Sequence, residues 1–514
     1  MAFFALLAIA MVIASYLFVA ILAIACVYLP YLLVSSSSGN IQILILFLFG
    51  VVIAAAMLWS LVPRRDKFVT PGIPLFRADQ PRLFSQLDDI AASLNEKLPG
   101  DVYLVPDANA FVADRGGVMG FGSRRVMGLG LPLFSVLTVS QFRAVLAHEF
   151  AHYYGGDTSL GPWVYRTKTA IMRTFQNVGS LGQFARIAVV GVMYMFVAGV
   201  LKGYAKLFFR AINLVSRRQE YRADELACLV AGRQSQIDGL RAVHGAAAAW
   251  APYWKNEVAP LLGSGTLPAV SDGFARFLAV PQVSDVLHKS LEKTLREAKT
   301  NAYDSHPPLR DRIAAAEKLP EWLGEDDPKS ALTLLDRLPD LELGLVENRL
   351  SDIKPGTLKY ISWDEVAYRV TIPGWQKAVT TYDDDLKGVT AETIPNQITN
   401  FSAIGSRIPD PKGMLLTPNQ RTERAGQLFA AALALALVEN GWKLSVQPGV
   451  FRLQRGDESF NPFAAVAELM AGKRSQDEWI NQCNSLGISQ VLLSATERKQ
   501  ETGALLTQPT LFDS

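Results

Sequence analysis

Hydrophobic positions crowd the start of the chain. Residues 3–34 and 41–62 are two apolar runs, and no charged residue or histidine occurs before Arg64. About 20 helical residues cross a bilayer core, so each run is long enough to span it. The polar stretch "SSSSGN" between them reads as a turn, and the pattern predicts a transmembrane helical hairpin over residues 1–63. A cleaved signal peptide is not expected, because it needs a basic leading segment and a shorter apolar core. "LAIAC", ending at Cys26, also lacks the basic lead and precedes a second span, which opposes a lipoprotein site. Arg64, Arg65 and Lys67 follow the second run directly. Basic residues flanking a span stay cytosolic, so the chain from about residue 64 onward is expected to face the cytosol.

Beyond the membrane the pattern changes. Apolar residues recur at helical spacing over 81–98, and "DVYLV" (101–105) reads as a strand. "PDANAFVADRGG" reads as a loop, and "RRVMGLGLPL" as a second strand region. A helix is predicted through "TVSQFRAVLAHEFAHYY", with Ser140 as its N-cap. Another helical pattern covers 205–232, preceded by an apolar run from Ile187 to Leu201. "LPEWLGEDDPKS" (319–330) reads as an acidic linker, so we expect one domain over 64–320 and a separate α+β module over 321–514. In that module "WKLSVQPGVFRLQRG" alternates like a hairpin, and "FNPFAAVAELMAG" and "QDEWINQCNSLG" read as helices. "LFAAALALALV" (428–438) is too short to span a membrane and reads as a buried core helix. Asp383, Asp384 and Asp385 read as a solvated loop rather than a cation site.

Composition narrows the classes. A chain of 514 residues exceeds one ordinary core, and 50 Lys+Arg against 48 Asp+Glu argues against a nucleic-acid partner held by charge. Cys26, Cys228 and Cys483 form no CxxC pair and read as reduced thiols, not as disulfides or metal ligands.

The chemistry concentrates in "AHEFAHYYGGD" (147–157), which holds two of only five histidines. Residues four apart share a helix face, so His148 and His152 can present two imidazoles to one zinc ion with Glu149 beside them. Glu149 can then act as general base for a water that attacks a peptide carbonyl. One class of zinc peptidase takes its third ligand six residues after the second histidine. Thr158 occupies that position and Asp157 misses it by one, which removes the class. A third ligand from a separate helix is the other common arrangement. In "SRRQEYRAD" Glu220 could bind the metal while Asp224, one turn on, accepts a hydrogen bond from a ligand histidine. Asp157 could serve as a similar outer contact. Spacing alone leaves open a solvated acidic pair matched by Arg217, Arg218 and Arg222.

Four segments in order, "NAF" (109–111), "HEFAH" (148–152), "SRRQEYRAD" (216–224) and "SHPPLRDRI" (305–313), resemble the membrane zinc metallopeptidases that include the HtpX-type quality-control proteases and the CAAX prenyl proteases. The resemblance covers roughly 68–320 and the N-terminal spans. It implies a mainly α, zincin-like (gluzincin) domain with a small β-sheet, one zinc ion per chain on His148, His152 and Glu220, and Glu149 as the base. It further implies that Asn109, His306 and Arg312 surround the substrate cleft, with His306 as a donor to the developing oxyanion and Arg312 and Asn109 binding substrate. The strand near "VMGLGLPL" would offer the edge for an extended substrate peptide. Family members commonly carry two further spans between the two ligand helices. A single 15-residue run cannot supply two crossings, so 187–201 is expected on the membrane surface or packed within the protein. The reading is a multi-pass membrane protein, of bacterial inner-membrane type, with a cytosolic endopeptidase site acting on membrane or misfolded proteins. The competing reading is a membrane scaffold or chaperone-like adaptor whose C-terminal module binds a protein partner and whose zinc is structural.

Overall fold

The computed structural model describes residues 2–36, 41–62, 68–117, 122–153, 161–297, 306–321, 324–350, 354, 356–410 and 415–500. The basic residues Arg64, Arg65 and Lys67, and also Asp157 and Thr158, lie outside these. The chain forms two compact units, Met1–Ala251 with Ser284–Pro355, and Pro252–Val283 with Gly356–Ser514.

From the N-terminus, α1 (Ala2–Ser36) and α2 (Ile41–Leu61) precede β1 (Ile73–Leu75), α3 (Pro81–Ser93), β2 (Asp101–Val105), β3 (Ala110–Arg115) and β4 (Arg124–Gly130). Then come α4 (Leu131–Val136), α5 (Val139–Ala151), α6 (Gly161–Ser180), α7 (Ala188–Ala231) and α8 (Arg233–Tyr253). Among the described residues, three helices are long and apolar enough to cross a membrane: Ile9–Ser36 of α1, α2, and α7. One apolar core joins α1 (Leu22, Cys26), α2 (Ile53, Met57), α6 (Val178) and α7 (Val190, Val197, Leu201). Polar groups within this bundle find each other, as an apolar surround requires: Ser15 Oγ lies 2.7 Å from Tyr204 Oη, and Asn177 Nδ2 donates to Ser60 Oγ at 2.8 Å.

Residues 187–201, expected on the membrane surface or packed within the protein, pack in this bundle through Val190, Val197 and Leu201. The run is the first third of a 44-residue helix that continues through Lys202, Lys206 and Arg210 to carry Glu220. Its companion is α6, whose Ile171, Phe175 and Val178 alternate with Lys168 and Arg173, so no continuous hydrophobic run marks it in the sequence. Among the described residues, the interval between His152 and Glu220 thus holds α6, a 3-10 turn at Leu181–Arg186 and the first part of α7.

The sheet runs β1-β2-β4-β3, with β2 and β4 parallel and β3 antiparallel to β4. Two expectations change. Part of the presumed loop "PDANAFVADRGG" is strand β3, and β4, which carries "VMGLG", is internal. The edge strands are β1 and β3. The presumed linker is also tied down. Asp327 N donates to Ser140 Oγ at 2.7 Å, Val139 N donates to Lys329 O at 2.8 Å, and Ala331 N donates to Leu137 O at 2.9 Å. The first unit accordingly continues to Pro355, past the boundary expected at residue 320.

The second unit is α+β. Helix Pro418–Glu439 buries Leu428 through Leu437 at its centre, against Phe401, Trp442, Leu453 and Trp479. The hairpin Lys443–Gln447 and Val450–Arg455 forms as patterned, with Glu458–Phe460 as a third strand. Each aspartate of the 383–385 run has a partner: Asp383 accepts from Ala495 N at 2.7 Å, Asp384 pairs with Lys387 at 2.6 Å, and Asp385 pairs with Arg407. Cys26, Cys228 and Cys483 are buried free thiols.

Candidate metal centre

Helix α5 starts at a capping box. Thr138 Oγ1 accepts from Gln141 N at 3.2 Å, and Gln141 Oε1 accepts from Thr138 N at 3.1 Å. Thr138, not Ser140, is therefore the N-cap, because only Thr138 has a glutamine three residues on. The helical conformation persists through His152 (φ −61°), so His148 and His152 share a face, with ring centroids 4.8 Å apart. Opposite them, α7 presents Glu220 and Asp224 from successive turns, only 5% and 2% exposed. This is not a solvated pair; the nearby Arg222 engages Glu225 at 2.6 Å instead.

His148 Nε2 lies 3.5 Å from Glu220 Oε2, and His152 Nε2 lies 3.6 Å from Glu220 Oε1. One ligand atom from each of the three residues falls within 4.8 Å of the others. Zinc bonds of about 2.0–2.2 Å place tetrahedral ligand atoms roughly 3.4 Å apart, which matches these separations. Glu220 Oε2 is buried and makes no hydrogen bond. A buried carboxylate oxygen without a hydrogen bond is costly, and Arg312 Nη1 at 3.5 Å does not supply one, so the donor set fits a zinc ion.

Around these three, Asp224 Oδ1 lies 3.0 Å from His148 Nδ1. Its carboxylate also takes Arg312 Nη2 at 2.6 Å, Arg312 Nε at 2.8 Å and Gln236 Nε2 at 2.7 Å. A carboxylate beside Nδ1 keeps the ring proton there and leaves Nε2 as the donor atom. His306 Nδ1 lies 3.0 Å from Glu220 Oε1, and Arg312 Nη1 lies 3.5 Å from Glu220 Oε2. A cavity of about 330 Å³ opens on the cluster, and its walls include Asn109, Phe111, Glu149, His306 and Arg312. The structure thus brings together every site residue expected from the sequence except Asp157, which lies outside the described residues. Sequence reasoning missed Gln236, which sits beyond a helix break and belongs to no recognisable motif.

Electrostatics follows from burial and charge. Burial pushes Glu149 up to about 7, against the pull of His148, so it can exchange a proton near neutrality. Burial and the neighbouring His148 hold His152 down at about 4, leaving it neutral. Burial also opposes a charge on His148, but the adjacent carboxylates of Asp224 and Glu220 outweigh it and lift His148 to about 9. Surroundings that favour a proton there favour a cation in its place.

Two histidines and a glutamate from facing helices, with a second glutamate beside them, define a metallopeptidase-type site. The comparisons agree. Residues 77–320 match the family model of peptidase family M48. The chain is 26% identical over 200 residues to a Protease HtpX homolog from Syntrophobacter fumaroxidans, covering 36% of this chain and 66% of the relative. It is 28% identical over 222 residues to Protease HtpX from Xylella fastidiosa (strain M12), covering 42% of this chain and 64% of that protein. The matches thus span just under two thirds of the relatives' own length, and over these residues the chain is similar to proteases of the HtpX type.

Proposed function

We propose that this chain is a membrane-anchored zinc endopeptidase with its site on the cytosolic face, acting on membrane or misfolded proteins. One observation carries the reading: His148, His152 and Glu220 converge on a cavity beside Glu149, and Glu220 keeps an unbonded buried oxygen. His148 and His152 through Nε2, and Glu220 through its carboxylate, would hold the ion. When bound, zinc supplies an acidified water and polarises the substrate carbonyl. Glu149 takes a proton on its carboxylate and returns it to the leaving amine. Asp224 holds the Nδ1–H of His148. His306 reaches the cavity from the segment before helix Leu309–Ala316 and serves as a donor to the developing oxyanion. A substrate in extended form adds to edge strand β3, whose Ala110 and Phe111, with Asn109, line the cavity.

The test is hydrolysis of an unfolded protein by the purified chain. Activity is expected to vanish with a strong chelator and return with zinc; activity indifferent to the chelator would refute the reading. Gly128 gives a second check. It pairs with Phe111 across the ladder, and a Cβ there would stand 2.3 Å from the Phe111 ring. Gly128→Ala should displace this cavity wall, raising KM several-fold while zinc content stays unchanged.

For topology we propose that α1 and α2 cross the bilayer and return, with α6 and the apolar start of α7 packed against them. His152 and Glu220 then stay on one side and can reach one ion. In inverted inner-membrane vesicles, added protease should digest the second unit; in right-side-out vesicles it should be protected. Protection in inverted vesicles alone would reverse the orientation.

A further inference from the structure

Gln236 lines the cavity but belongs to neither the donor set nor its expected outer contacts. Its position depends on a helix break. Helix α7 ends at Ala231, and Gly232 turns the chain at φ +91°, a conformation that side-chain-bearing residues rarely adopt. The Gly232 N–H closes α7 on Cys228 O at 2.9 Å, and α8 begins at the next residue. Gln236 therefore falls in the first turn of α8, where its Nε2 donates to Asp224 Oδ1 at 2.7 Å.

Gln236 is 1% exposed, and its Oε1 is buried without a hydrogen-bond partner. An unsatisfied buried carbonyl weakens a fold, and an apolar side chain of equal length would avoid that cost. The amide's contribution therefore lies in its single bond to Asp224. That carboxylate is held from two elements, by Gln236 on α8 and by Arg312 on helix Leu309–Ala316, and the oxygen they share faces His148 Nδ1 at 3.0 Å.

We propose that Gln236 is a positioning residue for the metal centre: it fixes Asp224, and Asp224 fixes the ring of His148 with Nε2 turned toward Glu220. The inference rests on the zinc reading of the site and extends it to a residue outside the motif. The opposition between fold and site makes it testable. Full-length native protein, Gln236→Met and, as a packing comparator, Ile237→Ala are purified in detergent. Zinc affinity is measured by chelator competition, the cobalt-substituted forms by visible absorption, and the unfolding midpoint in chelator by heating.

Gln236→Met should bind zinc about tenfold more weakly, as loss of an outer partner typically does, and shift the cobalt spectrum. Its unfolding midpoint should equal or exceed the native value. Ile237→Ala, which trims a buried packing residue, should lower the midpoint and leave zinc affinity unchanged. Native zinc affinity in Gln236→Met, or a joint fall of affinity and midpoint, would overturn the proposal. Should the Met variant misfold, Gln236→Glu keeps the side-chain shape and sets a carboxylate against Asp224; undiminished affinity there overturns it equally. If the native chain itself binds no zinc, the metal reading fails and this inference falls with it. If only the variants match the native protein, this inference alone fails.

Discussion

Glu149→Gln is expected to abolish peptide hydrolysis while leaving zinc content at the native level. Glu149 stands on α5 directly after His148, half-buried at the cavity wall, yet is not among the three residues whose ligand atoms converge. Replacing its carboxylate with an amide preserves volume and removes only the capacity to take a proton. A positioned general base contributes about 10²–10⁴-fold, so a loss of at least about 100-fold in kcat is expected. Burial already holds Glu149 near 7, where it can both accept a proton and release it. The measurement is single-turnover cleavage alongside metal analysis of the same sample. Undiminished cleavage would remove Glu149 from the mechanism. An undiminished cellular phenotype with cleavage lost would instead favour the adaptor reading, in which the zinc is structural.

The parts of this protein that were legible in its sequence share one property: their signal is local. The repeat of four between His148 and His152 follows from helix geometry alone, and the same spacing paired Glu220 with Asp224 on α7. The helix around Leu433 announced itself by an apolar run too short for a membrane, and it is the core of the second unit. What stayed hidden depends on partners distant in the chain. Strand β3 is half-exposed and ends in Ala-Asp-Arg, so only its pairing with β4 reveals it as an edge of the sheet. Helix α6 carries Lys168 and Arg173 among its apolar positions, and only packing on α1, α2 and α7 makes it part of the bundle. The segment after Leu319 has linker composition, but Ser140 and Val139 at the start of α5 hold its backbone. Gln236 is the clearest case. Its bond to Asp224 exists because Gly232 reverses the chain, and no spacing rule spans that turn.

Glu220 carries the second large prediction. Glu220→Gln should reduce zinc from about one ion per chain to a trace, and hydrolysis should fall with it. The amide keeps the shape of the side chain but loses the charge that both Nε2 atoms face at 3.5 and 3.6 Å. Three protein ligands are the minimum of a catalytic zinc site, and two imidazoles alone hold the ion far more weakly. Asp224→Asn offers the graded comparison, since it alters an outer contact and should cost only about 10–100-fold in affinity. The ordering of the two variants is the discriminating result. A Glu220 variant that keeps full zinc occupancy would sink the third-ligand assignment. Asp224 could not take its place without abandoning the bidentate grip of Arg312, at 2.6 and 2.8 Å, that holds it against His148 Nδ1. Glu220, with one oxygen toward His306 and the other buried without a hydrogen bond, is the carboxylate on α7 placed to take the ion.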